Sequence, residues 1–106
     1  NCFKNIYKKH PKHMDAFFHK GIEMAELGKH EKALEIFDKL LQIHKDNVNV
    51  IYAKARSNAA LDNIDEAIYL LGQAMKKDRK TIKKWAIQEK FFDSLLDDPR
   101  FNKLVK

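Results

Sequence analysis

Histidines and acidic residues are the side chains of this sequence best suited to bind a metal ion, and the chain has five histidines. His30-Glu31 begins like the HExxH motif of zinc proteases, in which two histidines four residues apart bind zinc from one face of a helix. The residue four after His30 is Leu34, so the second ligand is missing. The other histidines flank Pro11 in a predicted loop or lie on different predicted helices: His10, His13, His19 and His44. We therefore predict no metal site.

Two close pairs of carboxylates are the remaining candidates for chemistry, Asp97-Asp98 and Asp62 with Asp65. Acid–base catalysis would require burial or mutual repulsion to shift a carboxyl pKa. Both pairs fall at predicted helix starts, where Asp caps free N–H groups and complements the helix dipole, and we interpret them as structural. The chain also has no glycine-rich phosphate loop, nucleophile elbow or CxxC pair. The sequence predicts a protein that is not an enzyme and binds no cofactor.

The elements that position these residues come from an internal repeat of 34 residues. Residues of similar size recur at this interval: Phe17, Ile51 and Trp85; Gly21 and Ala55; Ala33 and Ala67; Phe3, Phe37 and Leu71. Within each period the apolar residues follow helical spacing twice, with interruptions at Gly28 and at Asp62-Asn63. Each period is thus predicted to be a helical hairpin, with Gly28 or Asn63 taking the left-handed conformation at the turn. We expect helices near 14–27, 30–44, 48–61, 64–77 and 81–93.

The small residues Gly21, Ala33, Ala55 and Ala67 would let the two helices of a hairpin approach closely. The large residues, including Phe17, Met24, Phe37 and Leu40, would fill the space within and between hairpins. Trp85 has the phase of Phe17 and Ile51, so we expect it in the core.

This pattern resembles the tetratricopeptide repeat (TPR), a 34-residue helix-turn-helix with a large-x-x-apolar-small start and an Ala followed four residues later by an aromatic. Phe17-x-x-Lys20-Gly21 and Ala33-x-x-x-Phe37 match it in one repeat, although Lys20 replaces the usual Leu. Ala55 and Ala67-x-x-x-Leu71 match it in the next, although Asn58 replaces the usual aromatic. The resemblance implies an all-α fold, a right-handed superhelix (α-solenoid) of antiparallel hairpins.

The resemblance also gives the organisation of the chain as the C-terminal part of a TPR array. Residues 1–13 would be the second helix of a truncated repeat, 14–47 and 48–81 full repeats, and 82–106 the terminal and capping helices. Glu89 stands where a small residue belongs, which marks the end of the array. Beyond it, Asp98 and Pro99 are expected to start a short capping helix, whose Phe101, Leu104 and Val105 fold back on the stack.

In TPR proteins the first helix of each hairpin lines a concave groove that binds peptides. Carried over to this chain, that lining, which we call the inner face, has the following members: Phe18, Ile22, Ala25 and Glu26; Tyr52, Arg56 and Ala59; Lys83, Ala86, Lys90 and Asp93. We select Phe18, Ile22, Tyr52, Arg56, Lys83 and Lys90 as the peptide-binding residues. Exposed aromatics beside cations suit a protein or peptide ligand with an apolar side chain and an acidic group or free carboxylate, which Arg56 would hold. Alternatively, Phe18 and Tyr52 only contact each other across neighbouring helices.

The carboxylate clamp of heat-shock co-chaperones is not reproduced, because Phe18, Ile22, Ala53 and Ile87 stand at its positions. A chaperone-tail function is therefore not indicated.

Two other functions stay open. The basic cluster at 76–84 could bind nucleic acid, but it lacks the interleaved aromatics that stack on bases. The repeats could also be a spacer or an oligomerisation surface, so self-association is an alternative.

Composition agrees with a helical interaction protein. Of 106 residues, 44% are apolar and 34% charged, with a net charge of +6. Only three of the 21 basic residues are arginines, which weakens the case for phosphate recognition. No apolar run is long enough to cross a bilayer, and the single Cys2 cannot form an internal disulfide. We predict a cytoplasmic protein without a membrane partner.

Overall fold

The computed structural model describes residues 11–105, with side chains from residue 16 onward, and this part of the chain is almost entirely helical. The helices of the described part follow in the order α1 (Pro11–Glu26), α2 (His30–Ile43), α3 (Val48–Ala60), α4 (Ile64–Gln88), a 3-10 helix (Lys90–Leu95) and α5 (Pro99–Val105). The all-α prediction is confirmed, whereas the right-handed superhelix stays a prediction.

Helix α1 begins ahead of the predicted start at 14. Pro11 is its first residue, a position that suits proline because the first N–H of a helix has no intrahelical partner. Pro11 and His13 therefore belong to a helix and not to the predicted loop. The other residues of the predicted truncated repeat, 1–10, lie outside the described part.

The first hairpin turn has the geometry that the sequence predicts. Gly28 has a φ of 83°, in the left-handed region. The Lys29 N–H donates to the Met24 carbonyl over 2.8 Å, and the Gly28 N–H donates to the Ala25 carbonyl over 3.0 Å. This pair of bonds is the Schellman motif, which closes the end of α1 and turns the chain into α2.

The second hairpin turn repeats this motif, but the left-handed residue is Asp62 (φ 63°), not Asn63 as predicted. The Asn63 N–H donates to the Asn58 carbonyl over 2.8 Å, and the Asp62 N–H donates to the Ala59 carbonyl over 3.0 Å. The Asn63 side chain does not cap α4 but donates to Asn58 Oδ1 over 3.2 Å. Asn58 stands where the TPR pattern has an aromatic residue, and it is buried. The bond from Asn63 gives its buried amide oxygen a hydrogen-bond partner.

Small residues let the helices of each hairpin pack closely, as predicted. Ala33, Ala55 and Ala67 have no exposed surface. A Cβ atom added to Gly21 would lie 2.6 Å from Phe37 Cε1, so α1 approaches α2 more closely than any other residue allows. Phe37 itself is fully buried in the core between these helices.

Helix α4 contains the predicted break between two helices. Asp78 has non-helical backbone angles (φ −153°, ψ 74°), which divide α4 into a first part, 64–77, and a second part, 79–88. The Thr81 N–H donates to Asp78 Oδ1 over 3.3 Å, so Asp78 caps the second part. The second part ends at Gln88, and the predicted continuation to 93 is wrong.

The C-terminal residues cap the stack as predicted. The Arg100 N–H donates to Asp98 Oδ1 over 2.9 Å, and α5 starts at Pro99. Phe101 is buried in the core around α3 and α4, and Leu104 and Val105 pack against it. One core prediction is wrong: Trp85 is 40% exposed, and its ring centroid lies 5.3 Å from that of Tyr52.

Candidate functional site: the inner face

The α1 side chains of the inner face remain partly open. Phe18 and Ile22 are half-buried and pack against the core between α1 and α2. The Phe18 ring centroid lies 6.0 Å from that of Phe37. Phe18 and Ile22 therefore have an apolar floor beneath them and a side that solvent or a ligand can reach.

Tyr52 is buried and is not the exposed aromatic residue that the sequence predicts for the inner face. It is 7% exposed, with its ring centroid 5.3 Å from that of Trp85 and 5.7 Å from that of Phe92. Its hydroxyl is buried without a hydrogen-bond partner among the described residues. Burial, followed by the negative charge of Glu89, raises the Tyr52 pKa well above its ordinary value.

Arg56, the predicted anion-binding residue, already holds two carboxylates of its own chain. Its Nη2 donates to Glu26 Oε1 over 2.9 Å. Its Nε lies 2.7 Å from Glu89 Oε1, an ion pair in which the N–H is not aimed as a hydrogen bond. The guanidinium carbon also lies 4.8 Å from the centroid of the Phe91 ring. Only 12% of the Arg56 side chain is exposed, so an external anion must replace one of these carboxylates.

The partners of Arg56 show that the chain returns across its own inner face after α4. We call residues 89–95, that is Glu89 and the 3-10 helix, the returning segment. The returning segment contacts α3, and the Ser94 hydroxyl donates to the Ala59 carbonyl over 3.3 Å. Phe92 and Leu95 of this segment are fully buried.

Two further inner-face positions that the sequence predicted to be open are buried. Ala25 and Ala59 are 2% and 1% exposed. Lys90 is exposed but belongs to the 3-10 helix, and Lys83 is half-buried on the second part of α4. One signal of the returning segment is present in the sequence: Glu89 occupies a position where the repeat has a small residue, and a large charged side chain does not fit the close helix packing there.

His30, the first residue of the incomplete zinc motif, is a packed histidine. It is 9% exposed, its Nδ1 lies 3.3 Å from Ser57 Oγ, and its ring meets the Phe91 ring edge-on at 5.1 Å. Burial and then the positive charge of Arg56 lower the His30 pKa. Within residues 16–105 no group of three or more His, Cys, Asp or Glu side chains is arranged to hold a metal ion.

The basic cluster lies around the break in α4, and all of its cations except the half-buried Lys83 are exposed. Lys77 Nζ forms an ion pair with Asp46 Oδ1 at 3.0 Å, and Arg79 Nη2 donates weakly to the Leu104 carbonyl over 3.4 Å. Lys77 and Arg79 of the cluster therefore each contact another part of the described chain.

Comparison with protein families identifies the repeat. A family model described as tetratricopeptide repeat matches residues 24–90, which is more than half of the chain and runs from the end of α1 through α2, α3 and α4. The chain belongs to the TPR family. Comparisons with curated proteins and with solved structures gave no match.

Family membership fixes the general class of function. TPR domains mediate protein–protein interactions and are typically non-catalytic scaffolds. The helices of the described part include none that is both long and apolar enough to span a bilayer. In this TPR domain the returning segment of the chain itself occupies part of the inner face.

Proposed function

We propose that this TPR domain is a scaffold that binds an extended or short helical segment of a partner protein on its inner face. The observation that supports the proposal is the returning segment, a short stretch of the chain itself that packs on the inner face. It places the aromatic rings of Phe91 and Phe92 on the inner face and a carboxylate, that of Glu89, on Arg56. The face therefore accepts apolar side chains next to an acidic group.

A partner segment would use the part of the inner face that the returning segment leaves open. Phe18 and Ile22 would contact its apolar side chain, while Lys83 and Lys90 would contact its acidic residues. A partner carboxylate would reach Arg56 in place of Glu26, because the Glu26 side chain is 59% exposed whereas that of Glu89 is 18% exposed. An ion pair with a solvent-exposed partner contributes little stability, so replacing Glu26 by a partner carboxylate should cost little free energy. We also propose that the protein is cytoplasmic, as the sequence predicts.

A random peptide library displayed on phage and selected on the intact chain tests this function. Selected peptides are then measured by fluorescence polarisation against the native chain, a Lys83→Glu, Lys90→Glu variant and a control variant. The control, Lys32→Glu with Lys39→Glu on exposed positions of α2, makes the same change in charge away from the inner face. Circular dichroism first establishes that each variant is folded.

We expect the selected peptides to combine acidic and apolar residues. They should bind the inner-face variant roughly tenfold more weakly than the native chain and the control within about twofold. No enriched sequence, or enriched peptides that bind all forms equally, would rule out the inner face as a peptide site. Light scattering that shows concentration-dependent dimers would instead favour the self-association alternative.

A further inference from the structure

An open cavity of about 540 Å³ lies between the first part of α4 and α5, and none of its lining residues belongs to the inner face. Its apolar surface comes from Ile68, Tyr69 and Gly72 of α4 and from Leu104 of α5. Tyr69 is 61% exposed, one of the most exposed large apolar side chains of the described chain. A Cβ added to Gly72 would meet no atom within 4 Å, so this part of the cavity is empty space.

Four cations surround this apolar surface: Lys76, Arg79, Arg100 and Lys103. The described residues that line the cavity include no carboxylate. Arg100 is held in place by ion pairs with Asp98 and Asp65, each at 2.9 Å. Lys76 and Lys103 are exposed and form no ion pair with any described residue. The site thus combines two free ammonium groups with an apolar floor.

We propose that this cavity binds an acidic segment of a partner protein that inserts one apolar side chain between α4 and α5. The volume is that of an ordinary ligand pocket, and it suits one large side chain with its flanking backbone. Carboxylates on either side of that side chain would pair with Lys76 and Lys103. The apolar group would rest on Tyr69 and Leu104.

The apolar floor distinguishes this ligand from a polyanion. A nucleic acid held by its phosphates would gain nothing from Ile68 and Leu104, and its affinity would follow the number of cations alone. An acyl chain requires an enclosed apolar channel to leave water, whereas this cavity is open to solvent. An acidic segment with an apolar side chain uses both the cations and the floor.

The test uses the intact chain and a fluorescent acidic peptide that has a central Leu-Phe pair. Two matched peptides isolate each contribution: one has Ala in place of the Leu-Phe pair, and the other has amides in place of the carboxylates. Single-stranded RNA and phosphatidylserine vesicles serve as polyanion probes. Chemical-shift mapping on the native chain locates the bound peptide without any substitution.

Three variants separate the contributions of the protein. Lys76→Glu with Lys103→Glu should weaken the acidic peptide roughly tenfold or more, because it reverses the charges at the rim. Gly72→Leu fills the cavity without changing the charge, and it should weaken the same peptide by about fivefold while the helix is kept. The α2 control, Lys32→Glu with Lys39→Glu, should bind within about twofold of the native chain.

Several results would overturn the proposal. One is an acidic peptide that fails to bind the native chain, or that binds Gly72→Leu as well as the native chain. Another is a peptide affinity that falls in the Lys83→Glu, Lys90→Glu variant but not in the Lys76→Glu, Lys103→Glu variant, since the peptide would then occupy the inner face. A third is RNA or vesicles that bind the native chain more tightly than the peptide does. If that binding were lost in the Lys76→Glu, Lys103→Glu variant and unchanged in Gly72→Leu, the cavity would be assigned to a polyanion.

Discussion

Substituting Ala for each of two helical glycines should have opposite effects on stability. Gly21 lies in α1 and Gly72 in the first part of α4, and neither has the positive φ that would make a side chain costly. A Cβ at Gly21 would lie 2.6 Å from Phe37 Cε1 and 3.0 Å from Ile36 Cγ2. A Cβ at Gly72 would meet nothing within 4 Å.

The magnitudes follow from two contributions. Replacing Gly by Ala within a helix gains about 0.5–1 kcal/mol of unfolding free energy at either position, since the Ala backbone loses less entropy on folding. At Gly21 the new methyl group enters space that the Phe37 ring occupies, and Phe37 is fully buried and cannot turn away. Overpacking of this kind costs about 1–3 kcal/mol. We expect Gly72→Ala to gain about 0.5–1 kcal/mol, and Gly21→Ala to fall about 1–3 kcal/mol below it.

Urea unfolding of the native chain and both variants, followed by circular dichroism at a helical wavelength, measures these differences. The two variants share the gain in helix propensity, so the difference between their unfolding free energies isolates the contact with Phe37. Thermal midpoints should differ in the same order, by about 4–8 °C for each kcal/mol in a chain of this size. A Gly21→Ala variant as stable as Gly72→Ala would refute the close approach of α1 to α2.

Three further substitutions test the buried polar groups. Arg56→Gln should lower the unfolding free energy by about 1–3 kcal/mol, because it leaves Glu89 nearly buried without its cation; a double-mutant cycle with Glu89→Gln measures the pair. The His30 pKa is lower in the folded chain than its value of 6.5 in the unfolded chain. The contribution of neutral His30 to the free energy of unfolding is therefore complete above pH 6.5 and is lost as the pH falls through the lower pKa of the folded chain. The urea midpoint should therefore decrease below about pH 6.5, and less so for His30→Gln. Tyr52→Phe removes a buried hydroxyl that has no hydrogen-bond partner among the described residues, so the free energy of unfolding should stay the same or rise by up to about 1 kcal/mol. A decrease of more than about 1 kcal/mol in urea unfolding would mean that the hydroxyl does form a hydrogen bond.

The repeat predicted the helices of this chain well because both helix periodicity and turn chemistry are local. Gly28 ends α1 where the apolar pattern stops, and Asp62 ends α3 one repeat later. Asn and Asp both tolerate positive φ, so residue type alone does not decide between Asp62 and Asn63. The 34-residue period itself places Asp62, and not Asn63, opposite Gly28.

The site could be predicted only in part, since its contacts join residues far apart in sequence. Helical phase placed Phe18 and Ile22 on the inner face, where they are half-buried. It placed Tyr52 and Arg56 there too, but it contains no information on what lies above them. The returning segment packs against both, through Phe92 at Tyr52 and through Phe91 and Glu89 at Arg56, and this segment begins where the helix ends at Gln88. The phase that Trp85 shares with Phe17 and Ile51 placed Trp85 in the core, whereas it is 40% exposed.

Because the returning segment is covalently attached, a free partner competes with it at a disadvantage. Glu89 directly follows α4, so its carboxylate is held near Arg56 at an effective concentration in the millimolar range or above. Glu26 is also in cis, but its side chain is 59% exposed and pairs with Arg56 through a single 2.9 Å contact. Glu26 is therefore the carboxylate that a partner can replace.

The consequence is a pair of variants with different outcomes. Glu26→Gln should tighten the binding of an acidic peptide to the inner face by about two- to fivefold with little change in stability, since an exposed ion pair contributes about 0–1 kcal/mol. Glu89→Gln should instead lower stability, because it removes the more buried partner of Arg56 and the acceptor of the Phe91 N–H at 3.2 Å. Polarisation binding with a library-selected peptide and urea unfolding measure the two effects. A Glu26→Gln variant that binds no more tightly than the native chain would mean that Arg56 is not a ligand contact, and that the affinity of the inner face comes from Phe18, Ile22 and the lysines.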